Sequence, residues 1–217
     1  KNCVDACIEL SNVFDIPLMM IASRRQIDCE FLGGGYVNNW TTEKFAEYVL
    51  DKDKKGKVIL ARDHGGPWQN DKEKKEKMGL RNAMKSAKKS YQVDIESGFE
   101  VIHIDPSIDP FGTPSLDETL ERIYELYEFC WNVAQNNKRD IIFEIGTEEQ
   151  SGTTNTIDEL EYVIEKMMSF CDQNKLPIPS FVVVQIGTRV LETRNVGTFD
   201  TPLRIANELP AEIQVPK

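Results

Sequence analysis

The sequence predicts an α/β fold in which parallel strands alternate with helices, arranged as a TIM (β/α)8 barrel that is incomplete in this chain. Three observations predict it. Five short runs, at 17–22, 58–61, 100–104, 140–145 and 180–186, are almost continuously apolar, with little polar alternation. That is the pattern of strands covered on both faces. Amphipathic helical repeats lie between the runs, and right-handed crossovers turn such an order into a parallel sheet. Finally, no G-x-G-x-x-G follows the first strand, where an open dinucleotide-binding sheet would carry it; Gly33-Gly34-Gly35 comes only later, in a long loop. A full barrel takes about 250 residues. The 217 residues here therefore read as one barrel domain, 1–217, lacking its last strands, with a sixth strand beginning near Glu212–Val215. Its first residue is lysine, as in a fragment.

The helices follow in order. One opens the chain at 2–14, with Cys3 and Cys7 one turn apart. The next covers 42–50 after a cap at Thr41. A long one spans 72–96, carries Leu80, Met84, Ala87, Tyr91 and Ile95 on one face, and stops at Gly98. Two more begin at capping boxes, Ser115-Leu116-Asp117-Glu118 and Thr156-Ile157-Asp158-Glu159.

Composition narrows the function. Hydrophobic residues make up 40% and charged residues 29%, in the globular range, and the formal charge of −10 disfavours nucleic acid as a partner. No apolar run reaches membrane-spanning length, and no secretory signal is visible. Five cysteines without a C-x-x-C pair suit reduced thiols in a cytoplasmic protein.

Chemistry concentrates where the strands end. Strand one leads to Arg24, Arg25, Gln26 and Asp28; strand two to Arg62, Asp63 and His64. Strand three brings His103, Asp105 and Ser107; strand four Glu144 and Glu148; strand five Gln185 and Arg189. In a barrel all these positions converge on one mouth. Asp63 and Glu148 are the carboxylates best placed to move a proton. His64 and His103 are the candidate ligands of a divalent metal such as zinc, with carboxylates completing the shell. An acid/base role or a satisfied core position is the competing reading for His64, and a buried hydrogen-bonded position for His103. With only two histidines, a three-histidine zinc site within these residues is impossible. Arg24, Arg25 and Arg189 can hold a phosphate or carboxylate. Gln26, Asp28, Asp105, Ser107 and Gln185 complete the set of candidate substrate contacts.

Several segments, taken in order, resemble a known family. They are Gln26-Ile27-Asp28, Gly33-Gly34-Gly35-Tyr36, Asp63-His64-Gly65-Gly66-Pro67-Trp68-Gln69, Ile102-His103-Ile104-Asp105-Pro106-Ser107, Ile145-Gly146-Thr147-Glu148 and Val182-Val183-Val184-Gln185. Together they look like the Z-type, non-catalytic subunit of class II D-tagatose-1,6-bisphosphate aldolase, in a divergent form. The resemblance implies a barrel of the class II aldolase type and a place in sugar-phosphate metabolism. It implies a phosphorylated sugar as ligand, and a class II aldolase catalytic subunit or further copies of the chain as partners. In catalytic relatives an Asp-His pair at the second strand supplies a proton-transfer acid and a zinc ligand, positions matched by Asp63 and His64. A further histidine follows the fifth-strand turn in those relatives, whereas here Ile186-Gly187-Thr188 runs into Arg189. Three roles follow: supporting or carrying out aldol cleavage or condensation of a ketose bisphosphate, an active metal-dependent aldolase or epimerase on another phosphorylated or nucleotide-linked sugar, or a sugar-phosphate binding module without turnover.

Overall fold

A computed structural model describes residues 1–147 and 156–184, together with the backbone of 189–191 and 194–196. Five strands, β1 (Leu18–Ser23), β2 (Val58–Gly65), β3 (Val101–Ile104), β4 (Ile142–Ile145) and β5 (Phe181–Val182), form one parallel sheet in the order β1-β2-β3-β4-β5. Strand order thus equals chain order. A doubly wound sheet reverses direction at a switch point, and these five strands contain none. Right-handed connections between neighbours in such a sheet carry the helices to a single face.

The helices are α1 (Asn2–Phe14), α2 (Thr42–Lys52), α3 (Asp71–Lys75), α4 (Leu80–Ser97), α5 (Leu116–Asn136) and α6 (Ile157–Asn174). Both capping boxes form as the sequence predicts, with Ser115 and Thr156 accepting from the backbone of Glu118 and Glu159. The predicted long helix over 72–96 is instead two helices. Glu73 turns inward, where its carboxylate accepts from the Trp68 backbone (2.6 Å), Arg24 (2.6 Å) and Ser86 (2.5 Å). Lys77 then takes a left-handed turn, and Gly79 in extended conformation begins α4.

The core lies between one face of the sheet and these helices. Met20, Leu60, Ile102, Ile104, Phe143 and Ile145 pack with Phe45, Met84, Tyr91, Ile123, Tyr127 and Met167. Tyr127 stacks on Phe143 with ring centroids 3.8 Å apart. The alternate positions point the other way. Met19, Ile21, Ile142 and Phe181 are among them, and each is 42–58% exposed. Of the fifth predicted strand, 180–186, residues Phe181 and Val182 pair with β4 and the Val183 N–H still donates to the Ile145 carbonyl (2.8 Å), while residues 185–186 lie outside the described residues. A short antiparallel pair, β6 (Arg189–Leu191) with β7 (Arg194–Val196), was not predicted from the sequence. The expected strand near Glu212–Val215 lies outside the described residues. All five cysteines are free thiols, and among the described residues no helix is long and apolar enough to cross a membrane.

Candidate functional site

The alternation of β2 divides its polar residues between two places. Arg62 faces the helices and Asp63 the opposite side, where it pairs in register with Ser23 of β1. His64, next in sequence, would return to the helix side if the strand continued regularly. It does not, because the β2–β3 register shifts between Arg62 and Gly65 and the His64 backbone turns to φ 41°. A bulge of this kind re-aims a side chain at a strand end. It brings Asp63 and His64 to the same side, with their ligating atoms and that of His103 all within 4.8 Å of one another.

The glycines after His64 permit this turn. A side chain at Gly65 would run into the Tyr91 ring, whose hydroxyl donates to the His103 carbonyl at 2.9 Å. Gly66 has φ 150°, and a Cβ there would overlap the carbonyl of Asp105.

Within the cluster Asp63 Oδ1 lies 3.6 Å from His103 Nδ1 and 3.8 Å from His64 Nε2. His64 Nδ1 is 3.3 Å from Asp105 Oδ2. His103 Nδ1 is 3.9 Å from Glu144 Oε2 and accepts from the His64 backbone N–H at 3.2 Å. Burial works to raise the Asp63 carboxyl, but His103 and His64 together outweigh it and hold it below its ordinary range. Asp63 is therefore ionised at neutral pH. Two imidazoles and a carboxylate at this spacing form a donor set suited to a divalent transition metal, and Glu144 is the neighbouring acid able to add a ligand.

Asp105 is fully buried. Besides facing His64, it accepts from the Ser107 backbone (3.0 Å) and hydroxyl (2.5 Å). Asp105 and Ser107 thus brace the cluster from behind. Gln26 lines a polar cavity of about 550 Å³ that also reaches Asp63 and His64. Glu148 and Gln185 lie outside the described residues, as does the Arg189 side chain.

Arg24 and Asp28, expected as substrate contacts, are placed elsewhere. Both are buried behind the sheet and joined Nε to Oδ2 at 3.1 Å. Arg24 also donates to the Gly66 carbonyl and to Glu73, both at 2.6 Å. Asp28 accepts from Ser90 (2.7 Å), Asn70 (2.7 Å) and the Cys29 backbone (2.8 Å). Beside them Arg62 makes a two-pronged pair with Asp94, at 2.7 and 2.6 Å, and donates to the carbonyls of Ala22 and Ile27. The network ties the loop after β1 to the loop after β2, so its role is to position the site. Burial alone would raise the Asp28 carboxyl, but Arg24, Arg62 and the hydrogen bonds lower it below its ordinary value. A depressed folded pKa gives stability that is present above the unfolded value of about 3.9 and is lost as pH falls through the folded one. The stability gap between wild type and Asp28→Asn is accordingly expected to narrow as pH falls from about 5 to 3, measured by urea denaturation; a gap independent of pH contradicts this role.

Sequence reasoning missed two features. Glu144 stood among the strand-end acids, but nothing in the sequence marked it as a neighbour of His103. Gln69 is 1% exposed, with neither amide atom hydrogen-bonded among the described residues. No local pattern signals an orphaned amide of that kind.

No protein-family model matches the chain, and no curated protein matches it in sequence. In structure the chain is similar to a probable tagatose 6 phosphate kinase from Sinorhizobium meliloti 1021, with a TM-score of 0.68. Identity is 18%, so the likeness concerns the fold. The match covers 89% of this chain and 49% of that one; the chain spans about half the length of the structure it matches.

Proposed function

We propose that this chain belongs to a (β/α)8 barrel that handles a phosphorylated ketose, with Asp63, His64 and His103 as its metal-dependent centre for aldol cleavage or condensation. The observation that carries the reading is the convergence of those three residues at the C-terminal edge of a parallel sheet whose strand order equals chain order. Chemistry in barrels sits at that edge. The exposed row of Met19, Ile21, Ile142 and Phe181 suits the inner face of a barrel, whose residues pack against further strands. One solved structure that the chain resembles is that of a probable tagatose 6 phosphate kinase, and the sequence resembles a family acting on a tagatose bisphosphate.

In cleavage the bond between C3 and C4 breaks. The ionised Asp63 accepts the proton of the C4 hydroxyl as that carbon becomes a carbonyl, and the electron pair remains with the C3 fragment, which is protonated to a ketose product. His64 and His103 would hold the cation, zinc being the candidate, with Asp105 fixing the His64 ring. A divalent cation, when bound, supplies neutralisation of the negative charge that develops on oxygen.

A second reading, a non-catalytic subunit that supports a separate aldolase or binds sugar phosphate without turnover, has its own support. Both imidazoles lie against Asp63, and Thr188 is followed by Arg189, where a histidine would be expected. A zinc- or cobalt-supplemented assay on ketose 1,6-bisphosphates decides between the two. Release of triose phosphate by wild type and its loss in Asp63→Ala supports the catalytic reading. Absence of turnover with metal bound overturns it and leaves the subunit, for which co-purification with an aldolase is the test.

A further inference from the structure

The cavity in front of Asp63 and His64 has a second wall. Arg25, Gln26 and Tyr36 line it together with Ser23, and Asp71 contributes an acid. Arg25 is exposed, and among the described residues it has no carboxylate partner, in contrast to its chain neighbour Arg24, which is held between Asp28 and Glu73. The wall is fixed by backbone. Tyr36 N–H donates to the Arg25 carbonyl (3.1 Å) and Val37 N–H to the Gln26 carbonyl (3.0 Å). This pairing needs Gly35, because any Cβ there would overlap the Gln26 carbonyl. The Gln26 Oε1 accepts from the Ser23 backbone at 2.9 Å, which leaves its Nε2 as a donor.

We propose that Arg25, with Gln26 and Tyr36, forms the subsite for the phosphate group of a phosphorylated sugar, a role that rests on the sugar-phosphate reading above. A planar guanidinium offers paired N–H donors that match phosphate oxygens. The amide of Gln26 and the hydroxyl of Tyr36 add neutral donors to the same wall. Among the residues lining the cavity Arg25 carries the positive charge and Asp63 and Asp71 the negative, so the phosphate is directed to Arg25 and the sugar's carbonyl and hydroxyl groups toward Asp63 and His64. About 550 Å³ lies within the range of small-molecule sites.

The test is binding, without turnover or added metal. Titration calorimetry of the purified protein compares fructose 6-phosphate, fructose and inorganic phosphate. The expected result is binding of the phosphorylated over the plain sugar, weakened at least tenfold by Arg25→Ala, partly kept in Arg25→Lys, and unchanged in Arg139→Ala, whose residue precedes β4 at the opposite end of the sheet. Phosphate alone is expected to compete with the sugar phosphate in wild type and to fail in Arg25→Ala. Equal affinity of wild type and Arg25→Ala, or no preference for the phosphorylated sugar, overturns the subsite. Unfolding midpoints of both Arg25 variants are expected to match wild type, since the side chain is exposed. Because the assay needs no catalysis, an inactive Asp63→Ala protein that still binds fructose 6-phosphate leaves the subsite standing, and an active protein indifferent to Arg25 removes the subsite alone.

Discussion

Replacing Arg62 by alanine is expected to destabilise the protein by about 3–5 kcal/mol, the cost of leaving one member of a buried ion pair without its partner. The Arg62 and Asp94 side chains are both wholly inaccessible to solvent. Truncation strands more than one group. The carboxylate loses two charge-assisted hydrogen bonds, keeping among the described residues the Thr42 hydroxyl at 3.1 Å, and the carbonyls of Ala22 and Ile27 lose the Arg62 guanidinium as a donor. Urea denaturation at neutral pH reads the loss directly. The double replacement Arg62→Met with Asp94→Leu is expected to recover part of it, because removing both charges removes the uncompensated burial. A loss below about 1 kcal/mol in Arg62→Ala would show that water or neighbouring groups replace the pair, contrary to the positioning role assigned here.

The second large effect is expected at the metal centre. His103→Gln should lower the affinity for Zn²⁺ or Co²⁺ by about 10–100-fold or more, since one of the two imidazoles of the Asp63, His64 and His103 group is lost. Glu144→Gln should weaken binding less, its oxygen being 3.9 Å from His103 Nδ1. Cobalt absorption during titration gives a readout separate from activity. Undiminished binding in His103→Gln would assign His103 instead to the core, where its carbonyl already holds the Tyr91 hydroxyl.

Arg62 and its neighbour Asp63 show how far the sequence could be read. Arg62 and Asp63 are adjacent, and both lie at the end of an apolar run. Sequence placed both at the site; the structure separates them, because β2 keeps its alternation through Asp63 and so turns Arg62 toward the helices. Arg24 and Arg25 divide in the same way. Which of two neighbouring arginines is buried depends on where Asp28, Glu73 and the Gly66 carbonyl lie in space, and those groups come from three different segments.

What the sequence determined by itself was local. Continuous apolar runs, capping boxes and helical periodicity set the strands and most helices, because each depends on contacts within a few residues. The convergence of polar groups at strand ends was also legible, since parallel strands carry all those ends to one edge. The split of the 72–96 helix was not, because it depends on Glu73 being drawn to Arg24 from a distant loop. Tertiary structure alone decided the site itself. The pairing of Asp63 and His64 with His103 depends on a register shift between β2 and β3, on Tyr91 packed over Gly65, and on the passage of Gly66 beside Asp105, long-range contacts whose geometry no single segment encodes.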